Sequence, residues 1–455
     1  MRIGQWLAEC IVRKQHLRAD VLWTKKLFFK NPLLRKVAIK ADAWALARSQ
    51  YWPIEKLKKI QQQRISVLLH HTETIPFWRD RFLNAGVDAG KINTFRSFIQ
   101  IPILRRPDIL VRDAFDYLTG QSKIVRDKIA ILDHTSGSTG IPFYFYVDRR
   151  YVLRSYGICE RMFRVASGGT RLAVVAMRTR WRVGLYPQTQ PWFFVRSHNS
   201  IQYRAAAFAD YVKKFPQGFI LYAFPSYALE LARIAERQEL NIRPRAVIVS
   251  GEQLLESSRM YLEDVFRCPV TSAYGVRELG WITFGCRYRK HHVNSEWVYL
   301  EIVDDQGKLL TDGEEGRIIA TTFDNFIMPF IRYDTGDRGI QYTQYHCLCG
   351  RTLPVLQVTG RQSETIMLDD RRISTYDLMI AFDSMPVAIR QFQFRQDSSS
   401  QFAILVVPGP KFHLHQEALL EKVKRILVAP VTVRWEVVES IPPEANGKRP
   451  LFKRL

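Results

Sequence analysis

The chain has 455 residues and a mass of 53.1 kDa, which exceeds what one hydrophobic core usually serves, so we expect two or more domains. No run of residues approaches the roughly 20 apolar residues of a membrane-spanning helix. Glu9, Arg13 and Lys14 interrupt the apolar core that a signal peptide needs. The sequence therefore predicts a globular protein of the cytoplasm.

The chain is strongly basic, with 67 Lys and Arg against 44 Asp and Glu and a formal net charge of +23. Such a charge favours an anionic partner without naming it. Residues 1–40 hold ten basic and two acidic side chains, with Trp6, Leu7, Cys10 and Ile11 at helical spacing. That pattern favours a solvated helix packed on the protein body, and it also fits a peripheral helix on anionic lipid at the inner face of the membrane. Nucleic acid is not expected, because the sequence contains no recognisable nucleic-acid-binding module.

The predicted elements begin with a basic helical region at residues 1–64, whose strongest amphipathic pattern runs on as "IEKLKKIQQQRISVLLHHT" from Ile54. Further along, "RAVIVSGE", "QLLESSRMYLEDVF" and "CPVTSAYG" predict a β–α–β unit. The carboxyl ends of its two parallel strands would bring "SGE" (250–252) and "YG" (274–275) to one sheet edge, where ligands bind in open α/β sheets.

The pattern of predicted elements changes near Gly360 and Arg361. Short strands follow, with a hairpin around "QDSSSQ" (396–401), one helix at "HQEALLEKVKRILV" and a strand at "TVRWEVV". We therefore expect a large domain over residues 65–360 and a small α+β domain over residues 361–455.

The segment "HTSGSTGIP" from His134 follows an apolar strand and has few side chains that could pack. Its hydroxyls and flexible glycines are typical of a phosphate-binding cradle. It is not the common P-loop, because no Gly-Lys-Ser/Thr follows. Taken alone, an ordinary surface loop explains it equally well.

Six segments taken together resemble the adenylate-forming enzymes, the superfamily of acyl-CoA synthetases, luciferases and adenylation domains. They are "HTSGSTGIP", "SGE", "AYGVRELG", "RYDTGDRG", "GRQSETI" and "NGKR", in the family's order. Within the superfamily, "IPFWRDRFLNAGV", "FPSYALELARIAE" and "CLCGRTLPVLQVTGR" resemble the group of phenylacetate-CoA ligase, coenzyme F390 synthetase and CapK. The resemblance covers residues 65–455 and implies a large α/β domain plus a small mobile C-terminal α+β domain.

The resemblance implies a role for each matched residue. The phosphate loop of ATP binding would consist of Ser136, Gly137, Ser138, Thr139 and Gly140. The adenine slot would consist of Ser250, Gly251, Glu252, Tyr274 and Gly275. The ribose would be bound by Asp337 and Arg361. Glu278 would bind Mg²⁺ near the α-phosphate, and Lys448 of "NGKR" would assist adenylation. Ser363 would lie at the hinge about which the small domain rotates between half-reactions.

Three positions depart from the family pattern. Arg277 replaces a common Thr and would bring positive charge toward the phosphates, and Asp334 replaces an Arg or Lys. Ser363 stands where Asp, Lys or Gln is usual, which makes transfer to coenzyme A the less secure half of the reaction.

Cys286, His292, Cys347 and Cys349 form a candidate Cys₃His site for structural Zn²⁺. Similar positions occur in part of the resembled group. His291 competes with His292 as the nitrogen ligand, and unpaired buried thiols are the alternative to a metal site. Cys10, Cys159 and Cys268 are expected to be ordinary buried cysteines.

These features predict an enzyme that adenylates a carboxylic acid with ATP and Mg²⁺, then transfers the acyl group to coenzyme A, a glycan or another carrier. Aromatic-acid activation and capsular or exopolysaccharide biosynthesis are both open as its setting. The alternative is a non-catalytic descendant of the fold, acting as a membrane-associated scaffold in polysaccharide biosynthesis.

Overall fold

The computed structural model describes residues 32–110, 130–134, 143–178, 192–194 and 200–361. In the C-terminal part it describes residues 365–368, 371–375, 378–379, 382, 389–398, 400–409, 412–427, 431–442 and 451–454.

The described helices and strands are numbered in chain order. The helices are α1 (Pro32–Ser49), α2 (Ile54–Thr72), α3 (Pro76–Asn84), α4 (Phe95–Phe98), α5 (Arg106–Leu110), α6 (Arg149–Ala166), α7 (Ser200–Val212), α8 (Pro225–Arg237), α9 (Glu256–Phe266) and α10 (Phe412–Leu427). The strands before residue 300 begin with β1 (Ala130–His134), β2 (Tyr144–Asp148), β3 (Ala173–Arg178), β4 (Trp192–Phe194), β5 (Phe219–Ala223), β6 (Ala246–Ser250), β7 (Val270–Ala273), β8 (Gly275–Val276), β9 (Gly280–Trp281), β10 (Thr283–Gly285), β11 (His291–Val293) and β12 (Val298–Val303). The remaining strands are β13 (Glu315–Thr322), β14 (Tyr333–Tyr342), β15 (Val355–Arg361), β16 (Thr365–Leu368), β17 (Arg371–Ser374), β18 (Ile389–Gln396), β19 (Gln401–Pro408), β20 (Thr432–Val437) and β21 (Phe452–Arg454).

A five-stranded parallel sheet forms the centre of the molecule, in the order β4-β3-β5-β6-β7. Strands β5 and β6 are buried along their whole length, because parallel strands covered on both faces need continuous apolar runs. Helices α7, α8 and α9 share one core with the sheet, and α6 contributes to the core on its other side. Strand β6, helix α9 and strand β7 are the predicted β–α–β unit, which is confirmed.

A six-stranded antiparallel sheet lies next along the chain, in the order β10-β11-β15-β14-β13-β12. Its register places Asp337 of β14 directly opposite Arg361 of β15. The two residues therefore meet because neighbouring antiparallel strands hold them at the same level.

The first described helices are tied to the body by polar contacts. Ser49, at the end of α1, donates a hydrogen bond to Glu296, which also forms a buried ion pair with Arg161 of α6 at 2.8 Å. The next residue, Gln50, accepts a hydrogen bond from Arg351 at 2.8 Å. The predicted boundary at residue 64 falls inside α2, and it stays a prediction.

A four-stranded sheet in the order β20-β19-β18-β21 packs with α10 in the C-terminal part. Strands β18 and β19 form the predicted hairpin, with Gln396 opposite Phe402. The mixed α/β class with an α+β C-terminal part is confirmed, whereas the boundary after Gly360 stays a prediction. Of the helices that the structure describes, none combines the length and the apolar character required to cross a bilayer.

Candidate active site

The carboxyl edge of the parallel sheet brings two of the predicted nucleotide segments together. Ser250 ends β6 and is in register with Ala273 of β7, so Gly251 and Tyr274 emerge side by side. Gly251 has φ +85°, a left-handed conformation that favours glycine. Glu252 accepts hydrogen bonds from the backbone N–H and the hydroxyl of Ser226, both at 3.0 Å. Glu252 thereby anchors this edge to the first turn of α8.

Tyr274, Asp337 and Arg361 form one hydrogen-bonded group. The Tyr274 hydroxyl donates to Asp337 Oδ2 at 2.8 Å, and Arg361 Nε lies 3.3 Å from Asp337 Oδ1. Burial raises the pKa of Tyr274 well above its usual value, and the Asp337 charge adds to the effect, so the phenol stays protonated and donates. The structure thus joins Tyr274, which directly follows the parallel strand β7, to two predicted nucleotide residues of the antiparallel sheet.

Glu278 lies in the turn between β8 and β9 and is buried, with 6 % of its surface exposed. It accepts a hydrogen bond from Tyr333 Oη at 3.1 Å. Burial raises the pKa of Glu278, and the hydrogen bond from Tyr333 opposes that effect. A buried carboxylate with few hydrogen bonds is a hard oxygen ligand that fits Mg²⁺.

Arg277 forms an ion pair with Asp133. Its Nη2 donates to Asp133 Oδ1 at 2.8 Å, and both side chains are largely buried. Asp133 is the penultimate residue of β1, immediately before the segment predicted to hold phosphates. The positive charge expected near the phosphates is therefore present beside the strand that leads to that segment.

Several predicted site residues lie outside the described residues. They are Ser136, Gly137, Ser138, Thr139, Gly140, Ser363 and Lys448. Their roles stay predictions.

Two predicted positions have local structural explanations. Asp334 forms an ion pair with Arg317 at 2.8 Å and accepts a hydrogen bond from the Gly336 N–H at 3.0 Å, so it stabilises the irregular part of β14 before Asp337. Gly275 must be glycine because a Cβ there would lie 2.3 Å from the Gly280 carbonyl oxygen. The close pairing of β8 and β9 therefore explains why residue 275 is glycine, whether or not an adenine base binds beside it.

Sequence reasoning missed the residues that hold the predicted ones in place. Tyr333, which bonds Glu278, begins the "YDTGD" segment and could have been noticed as a polar aromatic next to that motif. Tyr222 contacts Ser250 at 2.6 Å between the two hydroxyl oxygens, and Asp133 pairs with Arg277. These partners come from distant parts of the chain, where spacing carries no signal.

The predicted zinc ligands converge. The ligand atoms of Cys286, His292, Cys347 and Cys349 all lie within 4.8 Å of one another. The Cys286 and Cys347 sulfurs are 3.7 Å apart, close to the ~3.8 Å that two 2.3 Å Zn–S bonds span at a tetrahedral angle. The Cys349 sulfur lies 3.2 Å from His292 Nε2. The donor set therefore fits a closed tetrahedral Zn²⁺ site.

The two neighbouring histidines have different surroundings. His292 Nδ1 lies 3.3 Å from the Leu353 carbonyl oxygen, which leaves Nε2 facing the thiols. Burial lowers its pKa to about 4, so the imidazole is neutral at physiological pH, as a metal ligand must be. His291 points instead to Ser272, with 2.8 Å between Nε2 and Oγ. The geometry selects His292 from the two alternatives.

The chain is similar to known proteins in its C-terminal part, in its sequence and in its fold. Residues 366–454 match the family described as the CapK C-terminal domain. The chain is 23 % identical over 350 residues to a phenylacetate-coenzyme A ligase of Thermus thermophilus, covering 72 % of this chain and 75 % of the relative. A phenylacetate-coenzyme A ligase of Pseudomonas putida is 23 % identical over 347 residues, with coverage of 72 % and 76 %.

A solved structure of 2-hydroxyisobutyryl-CoA ligase, in the postadenylation state with an acyl-AMP, has the same fold. The TM-score is 0.73 at 19 % identity, covering 90 % of this chain and 93 % of that chain. Fold and relatives confirm the predicted class, an enzyme of the adenylate-forming ligase kind. Within that class they also confirm the predicted resemblance to the phenylacetate-CoA ligase and CapK group.

Proposed function

We propose that this chain activates a carboxylic acid with MgATP, forming acyl-AMP and pyrophosphate, and passes the acyl group to coenzyme A. The observation that carries the proposal is the meeting of Tyr274, Asp337, Arg361 and Glu278 around one sheet edge. The similarity to phenylacetate-coenzyme A ligases supports both half-reactions.

The chemistry requires neutralisation of charge, because a carboxylate must attack the α-phosphorus of an anion. In the proposed assignment, Asp337 accepts hydrogen bonds from the ribose hydroxyls while Tyr274 and Arg361 hold its two oxygens. Tyr274 also offers a ring for the adenine to stack on, beside Ser250, Gly251 and Glu252. Glu278 would hold Mg²⁺, which would neutralise phosphate charge.

The remaining contacts come from segments outside the described residues. Ser136–Gly140 would bind the β- and γ-phosphates, and Lys448 would contact the reacting carboxylate and α-phosphate. The Cys₃His cluster would hold a structural Zn²⁺, because all four of its ligands come from the protein.

The acyl acceptor has a second candidate. The alternatives to coenzyme A are a glycan or another carrier, which the sequence's resemblance to the CapK group leaves open. The net charge of +23 suits an anionic acceptor or an anionic membrane surface. On this view the protein works in the cytoplasm at the inner face of the membrane.

The experiment is acid-dependent exchange of labelled pyrophosphate into ATP. The panel contains phenylacetate and other aryl acids, short and long fatty acids, amino acids and hydroxy acids, with Glu278→Gln as the inactive control. Exchange with one class identifies the substrate, after which thiol consumption tests coenzyme A as acceptor. Absence of exchange across the panel, in protein that binds ATP, would favour the non-catalytic scaffold instead.

A further inference from the structure

Two small hairpins carry the proposed phosphate and metal contacts, and an ion pair joins them. Strand β1 pairs with β2 in a two-stranded sheet, and β8 pairs with β9 in another. Asp133 of β1 and Arg277, which follows β8, meet at 2.8 Å across 144 residues of sequence. Among the described residues, no strand pairing joins one hairpin to the other.

The pair is fixed to the backbone on the side where β1 ends. Asp133 Oδ1, which accepts from Arg277, also accepts from the His134 N–H at 2.8 Å. His134 is the last residue of β1, and Glu278 directly follows Arg277. A shift of Asp133 would therefore move the end of β1 relative to the Glu278 carboxylate.

The pair is poorly built for stability alone. Its side chains are 17 % and 7 % exposed, yet Asp133 Oδ2 and Arg277 Nε are buried and have no hydrogen-bond partner among the described residues. The buried hydroxyl of Tyr151 likewise has no hydrogen-bond partner among the described residues. The charges of Asp133 and Arg277 both act on this hydroxyl. Buried charges left partly unsatisfied usually cost as much free energy as their attraction returns. Stability is therefore a weak explanation for this arrangement.

We propose that Asp133 and Arg277 are positioning residues that set the distance between Glu278 and the end of β1 at His134. The inference rests on the proposed function, in which Glu278 would hold Mg²⁺ and the chain that follows His134 would bind the β- and γ-phosphates of the same ATP. Because both contact the same triphosphate, a fixed distance between them favours a single pose. The acid substrate needs no such spacing.

The test is pyrophosphate exchange by Asp133→Asn, Arg277→Gln and the double variant. Each single change is expected to raise KM for MgATP by about 10- to 100-fold, as loss of an outer-shell partner does at metal sites. KM for the acid should stay within about twofold, since the acid does not touch this pair. The double variant should lose no more than the worse single variant, because the two residues act through one contact.

The matched control is Arg64→Gln. Arg64 pairs with Asp324 at 3.1 Å with similar burial, 15 % and 2 % exposed. Its loss should lower Tm and leave both KM values unchanged. If Arg277→Gln fails to fold, Asp133→Asn still tests the proposal, because it keeps the size of the side chain and removes the negative charge that pairs with Arg277.

Three results would overturn the positioning role: unchanged KM for MgATP, equal increases for ATP and acid, or losses that multiply in the double variant. Failure of the wild-type chain to exchange pyrophosphate would instead count against the proposed function. The two failures are thus distinguishable.

Discussion

At the scale of single residues, Glu278 shows how a site can be assembled at the expense of stability. Its carboxyl is buried and accepts a hydrogen bond from Tyr333, and burial raises its pKa. A pKa that is raised by folding contributes stability below the unfolded pKa, and this contribution is lost as pH rises through the folded pKa. At neutral pH, which lies above the unfolded pKa, the raised pKa of Glu278 therefore lowers the stability of the fold.

We accordingly expect Glu278→Gln to raise Tm at pH 7 while lowering pyrophosphate exchange by at least about 100-fold, the scale of a lost electrostatic contact in catalysis. The gain in Tm should shrink as pH falls, because protonated Glu278 resembles the amide. Scanning calorimetry across pH measures both effects. Glu296→Gln is the contrasting control, because the charge and hydrogen bonds of Arg161 counter the effect of burial and hold the pKa of Glu296 below its usual value. Loss of the Glu296 carboxylate should therefore lower Tm. A lower Tm for Glu278→Gln would contradict the prediction.

Tyr274 offers a second prediction at this scale. Tyr274→Phe removes the hydrogen bond to Asp337 and keeps the ring, so KM for ATP should rise about tenfold, corresponding to ~1.4 kcal/mol. Tyr261→Phe is the control, because Tyr261 donates a similar bond of 2.9 Å to Glu236 on the surface. Equal KM values for the two variants would show that the Tyr274 hydroxyl plays no part in ATP binding.

At the scale of elements, the Cys₃His cluster connects the β10–β11 hairpin to the loop before β15. Cys286 and His292 flank the turn of the hairpin, while Cys347 and Cys349 come from the loop. A bound Zn²⁺ would tie the short β10–β11 hairpin to this loop, and the free energy of metal binding would add to the free energy of folding.

We expect about one zinc per chain by elemental analysis, and its loss, with a lower Tm, in the double variant Cys347→Ser/Cys349→Ser. Cys268→Ser should retain the metal, because Cys268 is outside the cluster. Native protein that is folded and free of zinc after expression in zinc-containing medium would rule the metal site out.

The same scale shows what sequence could predict. Helix α2 begins and ends where its amphipathic pattern does, and the β6–α9–β7 unit follows from apolar runs with a helical spacing between them. Motif residues such as Tyr274 and Asp337 could be predicted to share a site. Their contact partners could not, since Arg277 with Asp133 and Glu278 with Tyr333 join remote segments through the tertiary fold. Strands of two or three residues, such as β8 to β11, likewise carry too short a pattern to predict their pairing.

At the scale of the whole molecule, the proposed function requires the small C-terminal domain to present Lys448 in one half-reaction and withdraw it in the other. Lys448→Ala should abolish pyrophosphate exchange and leave ATP binding within about threefold, because only the chemical step uses this side chain. Supplied with ready-made acyl-AMP, the variant should still form the thioester. Lys424→Ala, on α10 of the same part of the chain, should behave as wild type. Parallel loss of ATP affinity and turnover would refute the assigned role of Lys448.

The docking of α1 also has a consequence for the order in which the nascent chain can fold. Ser49 and Gln50 contact Glu296 and Arg351, which lie 247 and 301 residues further along the sequence. Translation adds about 5–20 residues per second, so these partners leave the ribosome on the order of 15 seconds or more after α1. Helix α1 can pack on α6 earlier, because Arg161 of α6 lies only 115 residues beyond Leu46. Its polar contacts with Glu296 and Arg351 must wait until most of the large domain is made. Leu46, buried in the finished protein, is exposed on the emerging chain at least until α6 appears, which makes this helix a natural place for a chaperone to act.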